Sequence, residues 1–135
     1  MVQIVGKYQY VSSENFENYI RSLDKGDLVD TFLQTMPIVE IQQNDDQWYI
    51  IVTISQDKTI TVTFKLGEVY DEYVSSSQII YKSVTTKEDN GFRTETPLSA
   101  DFIGIRVYEF TDTEMIMYLS SNKSDVKAKR TYKRL

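Results

Sequence analysis

Near the end of the chain, Val126, Ala128, Arg130 and Tyr132 alternate with Lys127, Lys129, Thr131 and Lys133. At the side-chain period of two that a strand imposes, the lysine set faces water and the other set faces inward, sending a guanidinium and a phenol to the same interior side. A buried arginine without a partner costs on the order of several kcal/mol, so an anionic group or trapped water must meet it. Guanidinium and phenol hydroxyl can both donate hydrogen bonds to such a group. The plainer alternatives are a surface ion pair, or an internal salt bridge that only holds the fold together.

Other polar side chains compete for the same interior. Thr53 and Ser55 end a strand-like run that starts at Trp48, and they are expected on its inner face. Arg106 and Tyr108 join them if Phe110 faces in, although Ile103, Ile105 and Val107 compete for the inside of that stretch. A strand wall with scattered polar groups should enclose water, a ligand, or both.

Composition removes several kinds of chemistry. The 135 residues contain no cysteine and no histidine, so thiolate chemistry and the commonest general base and transition-metal ligand are missing. The acidic residues are scattered over turns and outer faces without a metal-like cluster, and no catalytic constellation stands out. With 15 Lys+Arg against 20 Asp+Glu the formal charge is -5, which argues against nucleic acid. It gives no general pull toward anionic membranes either, leaving only a local Lys-rich patch on the last strand for transient membrane contact.

The elements that position these groups follow from periodicity. Gly6–Tyr10 reads as a short strand, after which Ser12 and Ser13 are expected to cap a helix. Phe16, Tyr19, Ile20 and Leu23 then form one apolar helical stripe, and Leu28, Val29, Phe32 and Leu33 a second before Pro37. This helix-turn-helix, about residues 14–35, is too short to stand alone, so its apolar faces must sit on something else. Everything after Pro37 reads as strands cut by turn signals, among them Asn44-Asp45-Asp46, Leu66-Gly67 and Asn90-Gly91. Ile60, Val62, Phe64 and Leu66 alternate cleanly with Thr59, Thr61, Thr63 and Lys65, whereas Trp48 to Ile54 is apolar on both faces and is expected to lie under the helices or another layer. About ten short strands in one domain of this size predict an all-β antiparallel meander closed as a barrel or sandwich.

Four motifs in order carry a family resemblance. Gly6-Lys7-Tyr8 followed by Ser12 to Ile20, Thr63-Phe64-Lys65-Leu66-Gly67-Glu68 with Asp71-Glu72, Tyr108-Glu109-Phe110-Thr111-Asp112, and Arg130-Thr131-Tyr132-Lys133 resemble the intracellular lipid-binding proteins. That family comprises the fatty acid-binding and cellular retinoid-binding proteins, and the likeness is to invertebrate members. The resemblance implies a ten-stranded up-and-down β-barrel of lipocalin-like form over residues 1–135, capped by the helical lid and enclosing one long-chain lipid. It also implies an Arg-x-Tyr clamp for a fatty acid carboxylate at Arg130 and Tyr132. The family often places a second arginine where Tyr108 stands here, with Arg106 two residues earlier on the same face. Arg106 then either reaches the ligand or pairs with an acid such as Glu40. Phe16, Tyr19, Val29 and Phe32 become lid and portal residues, and Asp57 occupies a turn that commonly carries an aromatic gate.

The expected activity is therefore non-enzymatic carriage of fatty acids or related carboxylates by a monomer with no cofactor. A ligand-poor barrel with a structural, protective or interaction role is the alternative. The start of the chain lacks the basic and apolar regions of a secretory signal, which favours the cytoplasm, although a mature secreted form would read the same.

Overall fold

A computed structural model describes residues 3–22, 38–55, 58–73, 80–99, 101–122 and 125–135. Among these residues ten strands form a single antiparallel sheet: β1 (Gly6–Glu14), β2 (Ile38–Asn44), β3 (Gln47–Ser55), β4 (Lys58–Lys65), β5 (Val69–Tyr73), β6 (Ile80–Glu88), β7 (Gly91–Ser99), β8 (Phe102–Phe110), β9 (Glu114–Ser121) and β10 (Ala128–Arg134). Their order is β4-β3-β2-β1-β10-β9-β8-β7-β6-β5, so each strand pairs with its chain neighbours and β1 closes on β10. The sheet curls into a barrel whose hydrogen bonds stop between β4 and β5. Side chains bridge that seam, with Phe64 of β4 and Tyr70 of β5 stacked at 5.3 Å between centroids. The intervening turn places Gly67 at φ 81°, a left-handed conformation that glycine adopts without a Cβ penalty, and its N–H donates to the Thr85 carbonyl at 2.8 Å.

Alternation explains which residues fill the barrel. Val39 and Ile41 of β2 pair with Val52 and Ile50 of β3, and Trp48 of β3 pairs with Phe64 of β4. These side chains form the apolar cluster with Tyr8, Phe92, Phe110 and Met115. Phe92 lies at its centre, meeting Trp48 edge-on at 4.9 Å and Phe110 at 5.9 Å, arrangements that suit aromatic quadrupoles. Inward-facing Ile50, Val52, Val62 and Met117 nevertheless remain only partly buried, so the interior is not packed solid.

Several expectations about local structure change. The first strand does not stop at Tyr10: a register shift between Tyr10 and Ser12 leaves Val11 outside, 51% exposed, and pairing resumes to Glu14. Such a bulge adds one residue to one strand. Ser12 and Ser13 therefore belong to the ladder, and Asn15, at φ 59°, makes the corner into α1 (Phe16–Ser22). Its carbonyl accepts from the Tyr19 N–H at 3.1 Å, and its Nδ2 donates to the Lys127 carbonyl at 2.8 Å, tying the helix start to the approach of β10.

Among the described residues no second layer covers the run from Trp48. Its even positions enter the apolar cluster, and Tyr49, Ile51 and Thr53 on the other face are only half-buried. Thr53 therefore points outward, because it pairs with exposed Ile38 and exposed Thr59 while its neighbour Val52 takes the inner position. Glu40 is likewise on the outer face, opposite Ile51 and bonded at 2.9 Å by Gln42, so it cannot pair with a guanidinium inside the barrel.

Candidate functional site

Strands β1, β10, β9 and β8 bring the site together. Ala128, Arg130 and Tyr132 are buried on β10, and they stand opposite Leu119, Met117 and Met115 of β9. Tyr10 is registered with Tyr132, and beyond the bulge Ser13 is registered with Arg130. The bulge thus lets two β1 side chains three residues apart face the barrel interior, and their hydroxyls bond each other at 2.6 Å.

Arg130 is 7% exposed and is the one charged side chain in the buried set among the described residues. Aromatic faces hold it instead of an acid. Its Cζ lies 4.6 Å from the Tyr10 ring centroid, 4.5 Å from Phe16 and 5.7 Å from Tyr132. Cation–π attraction of this kind contributes about 0.5–2 kcal/mol per ring, and it leaves the N–H donors free for an acceptor. Nε is buried without a hydrogen-bond partner, and each described ion pair lies at the surface and omits Arg130.

Tyr132 is 2% exposed, and burial pushes its hydroxyl up to about 12 against the opposing pull of Arg130. It therefore stays protonated and able to donate at neutral pH. Tyr10 and Tyr132 meet edge-on at 5.8 Å, fixing both rings around the guanidinium.

A second polar group occupies the neighbouring wall. Arg106 is on the inner face of β8, registered with Thr94 of β7 and Leu119 of β9, and Tyr108 follows on the same face. Arg106 Nη2 donates to Thr96 Oγ1 at 3.1 Å, and Nη1 lies 3.5 Å from the Tyr108 hydroxyl. The helix reaches this region as well. Phe16 and Tyr19 of α1 are buried against Leu119 and Ala128, and the Tyr19 hydroxyl donates to the Ser120 carbonyl at 3.0 Å. Burial raises the Tyr19 hydroxyl to about 12, with the Arg106 charge pulling the other way.

Of the residues singled out in the sequence, Arg130, Tyr132, Arg106, Tyr108, Phe16 and Tyr19 converge on the upper interior. Thr53 does not, and Ser55 ends β3 beyond a register shift with its side chain outside those described. Val29, Phe32 and Asp57 fall outside the described residues. The sequence reading missed Tyr10, Ser13 and a buried hydroxyl set, Ser83, Thr85, Thr94 and Thr96. A signal for the last pair was present, since Arg93 and Glu95 claim the outer face of β7 and force Thr94 and Thr96 inward.

At the other end of the barrel Arg134 acts as a plug. Its guanidinium lies 4.8 Å from the Tyr8 ring centroid and donates to the carbonyls of Gln3, Val5 and Thr111. The Tyr8 hydroxyl donates to the Ile4 carbonyl at 2.7 Å, and burial raises its pKa despite Arg134. The two terminal nitrogens of Arg134 are thus engaged by backbone carbonyls, whereas its Nε, like that of Arg130, is buried without a hydrogen-bond partner.

Comparison with known proteins agrees with this geometry. The family model described as lipocalin / cytosolic fatty-acid binding protein matches residues 5–94. A fatty acid-binding protein of Lepidoglyphus destructor is 32% identical over 93 residues, 68% of this chain and 70% of that protein. The fatty acid-binding protein from brain tissue of Drosophila melanogaster, solved without citrate inside, superposes with a TM-score of 0.82 at 33% identity, covering 97% of this chain and 99% of that one. The Schistosoma mansoni fatty acid binding protein in complex with arachidonic acid superposes at 0.85 with 26% identity, covering 97% and 95%.

Proposed function

Because the chain belongs to the lipocalin and cytosolic fatty-acid binding protein family, whose members are carriers rather than enzymes, we propose that it reversibly binds and transports a long-chain fatty acid or related hydrophobic carboxylate. The carboxylate lies against Arg130 and Tyr132, and the acyl chain runs along the apolar wall of β2–β4. The observation that carries this reading is the buried Arg130, which rings hold in place and which no acid of the described residues neutralises. Its charge is positioned while its donors stay available. A carboxylate supplies the anion and two acceptor atoms. Each methylene taken from water adds about 0.8 kcal/mol.

Binding of this kind makes and breaks no covalent bond, and the protein acts as a monomer inside the cell. Delipidated protein titrated with a fluorescent fatty acid tests the reading. Wild type should take up the probe, and Arg130→Ala should lose about ten- to a hundredfold in affinity, the value of a charged hydrogen bond. Equal affinities would remove Arg130 from the site. No uptake by wild type would return the barrel to the ligand-poor, structural role.

A further inference from the structure

The inner wall is chemically divided. Val39, Ile41, Trp48, Ile50, Val62 and Phe64 make the β2–β4 side apolar. Across the barrel, β5–β8 present hydroxyls. Ser83 Oγ and Thr96 Oγ1 lie 2.7 Å apart, Thr85 and Thr94 bond at 2.7 Å, and the Tyr70 hydroxyl bonds Thr85 at 2.8 Å. Ser83, Thr85, Thr94 and Thr96 are all buried. A ligand with one polar end and a plain hydrocarbon tail needs only the first side and the Arg130 clamp. The second side has no counterpart in such a molecule.

Its focus is the upper end of the hydroxyl wall. Thr96, Gly104 and Ser121 stand side by side across β7, β8 and β9. Gly104 contributes no side chain between Thr96 and Ser121. Arg106, one inward position below Gly104, donates to Thr96. Ser121 Oγ is buried there without a hydrogen-bond partner, an unmet donor and acceptor on the inner face. Serine and threonine hydroxyls both donate and accept, and the guanidinium donates, which suits a neutral oxygen that does either.

Resting on the carrier reading, we propose that Ser83, Thr96, Arg106 and Ser121 around Gly104 form a second polar subsite, which takes a hydroxyl or carbonyl group on the chain of the bound carboxylate. Register fixes how far along the chain that group sits. Arg130 aligns through Met117 and Tyr108 with Phe92 on β7, and Thr96 is four residues further on that strand. Three strand spacings amount to roughly 14 Å around the wall, and four residues to roughly 13 Å along it. A substituent beside the carboxylate cannot span this separation. One near the middle of a long chain can.

Displacement of a fluorescent fatty acid from delipidated wild type tests the subsite, using a saturated long-chain acid, its alpha-hydroxy derivative and a mid-chain hydroxy derivative of the same length. The mid-chain derivative should bind roughly three- to tenfold tighter than the plain acid, as one added hydrogen bond implies, and the alpha derivative should show no such gain. Ser121→Ala removes an atom that no protein group uses, and Thr96→Val keeps the shape of the side chain. Both should bring the ratio of mid-chain to plain affinity toward one. Equal affinities on wild type would overturn the subsite and leave the carrier intact, with ordered water as what the hydroxyls hold. A ratio unchanged in both variants would overturn its assignment to these residues. Failure of wild type to bind any of the three acids would sink the carrier reading, and the subsite with it.

Discussion

The guanidinium of Arg130 lies 4.5 Å from the ring centroid of Phe16, so the group proposed to meet a carboxylate touches the first residue of the helix that packs on β10. The proposed binding chemistry and the packing of α1 therefore share one contact. Phe16→Leu retains most of the buried apolar bulk against Leu119 and Ala128 and removes the ring face from the cation. The variant should lose about 1 kcal/mol of stability, read as a lower urea midpoint by the fluorescence of Trp48, the single tryptophan. Wild-type stability would show that the ring does not hold the arginine.

Much of this site was legible because strands enforce a period of two. Lysines on alternate positions of the last strand left no choice about Arg130 and Tyr132, and the turn signals at Asp45 and Asn90 divided the chain correctly. Alternation fails where register slips. The bulge at Val11 concealed Ser13, and the polar end of the Trp48 run placed Thr53 inside with Ser55, whereas the inner row is set by Trp48, Ile50 and Val52. Nothing in the sequence alone marks such a slip, because it depends on what lies across the ladder. Arg106 was ambiguous for another reason: the apolar residues at 103, 105 and 107 sit on the outer face, half-buried, and look as core-like as those within.

Gly91 should tolerate no side chain. It opens β7 opposite Glu109, and a Cβ there would lie 1.7 Å from the Tyr108 carbonyl oxygen and 2.7 Å from its carbon. Both are backbone atoms of the strand that carries Arg106 and Tyr108, so relief requires the ladder to move. Gly91→Ala should cost at least about 2–3 kcal/mol. Urea unfolding checks this, and a loss below about 0.5 kcal/mol would show that the two strands can part at this point without harm.

Arg134 should matter to stability and little to ligand uptake. It bonds three carbonyls from two separate segments and covers Tyr8 at the end of the barrel away from Arg130. Arg134→Met keeps much of the stem and leaves those carbonyls without their charged donor. A loss of roughly 1.5–3 kcal/mol is expected, with fatty acid affinity within about twofold of wild type. If affinity fell as far as in Arg130→Ala, the two arginines would share one site, contrary to the geometry.

Alkaline conditions should unfold the protein through its interior tyrosines. Tyr19 and Tyr132 ionise at the ordinary value of 10.0 in the unfolded chain and are raised to about 12 in the folded one, in each case mainly by burial, with Arg106 and Arg130 respectively opposing. Below about pH 10 both states hold the proton and the contribution to stability is complete. As pH rises from about 10 to about 12 the unfolded state gives up protons that the folded state keeps, so stability falls. The loss is on the order of 2 kcal/mol for each tyrosine by the top of that window. Urea midpoints at about pH 9 and about pH 11.5 measure it, and Tyr132→Phe isolates one share, because phenylalanine has no proton to lose. The variant should show a shallower decline than wild type across that interval. An identical decline in both proteins would mean that burial does not raise the Tyr132 hydroxyl above its ordinary value.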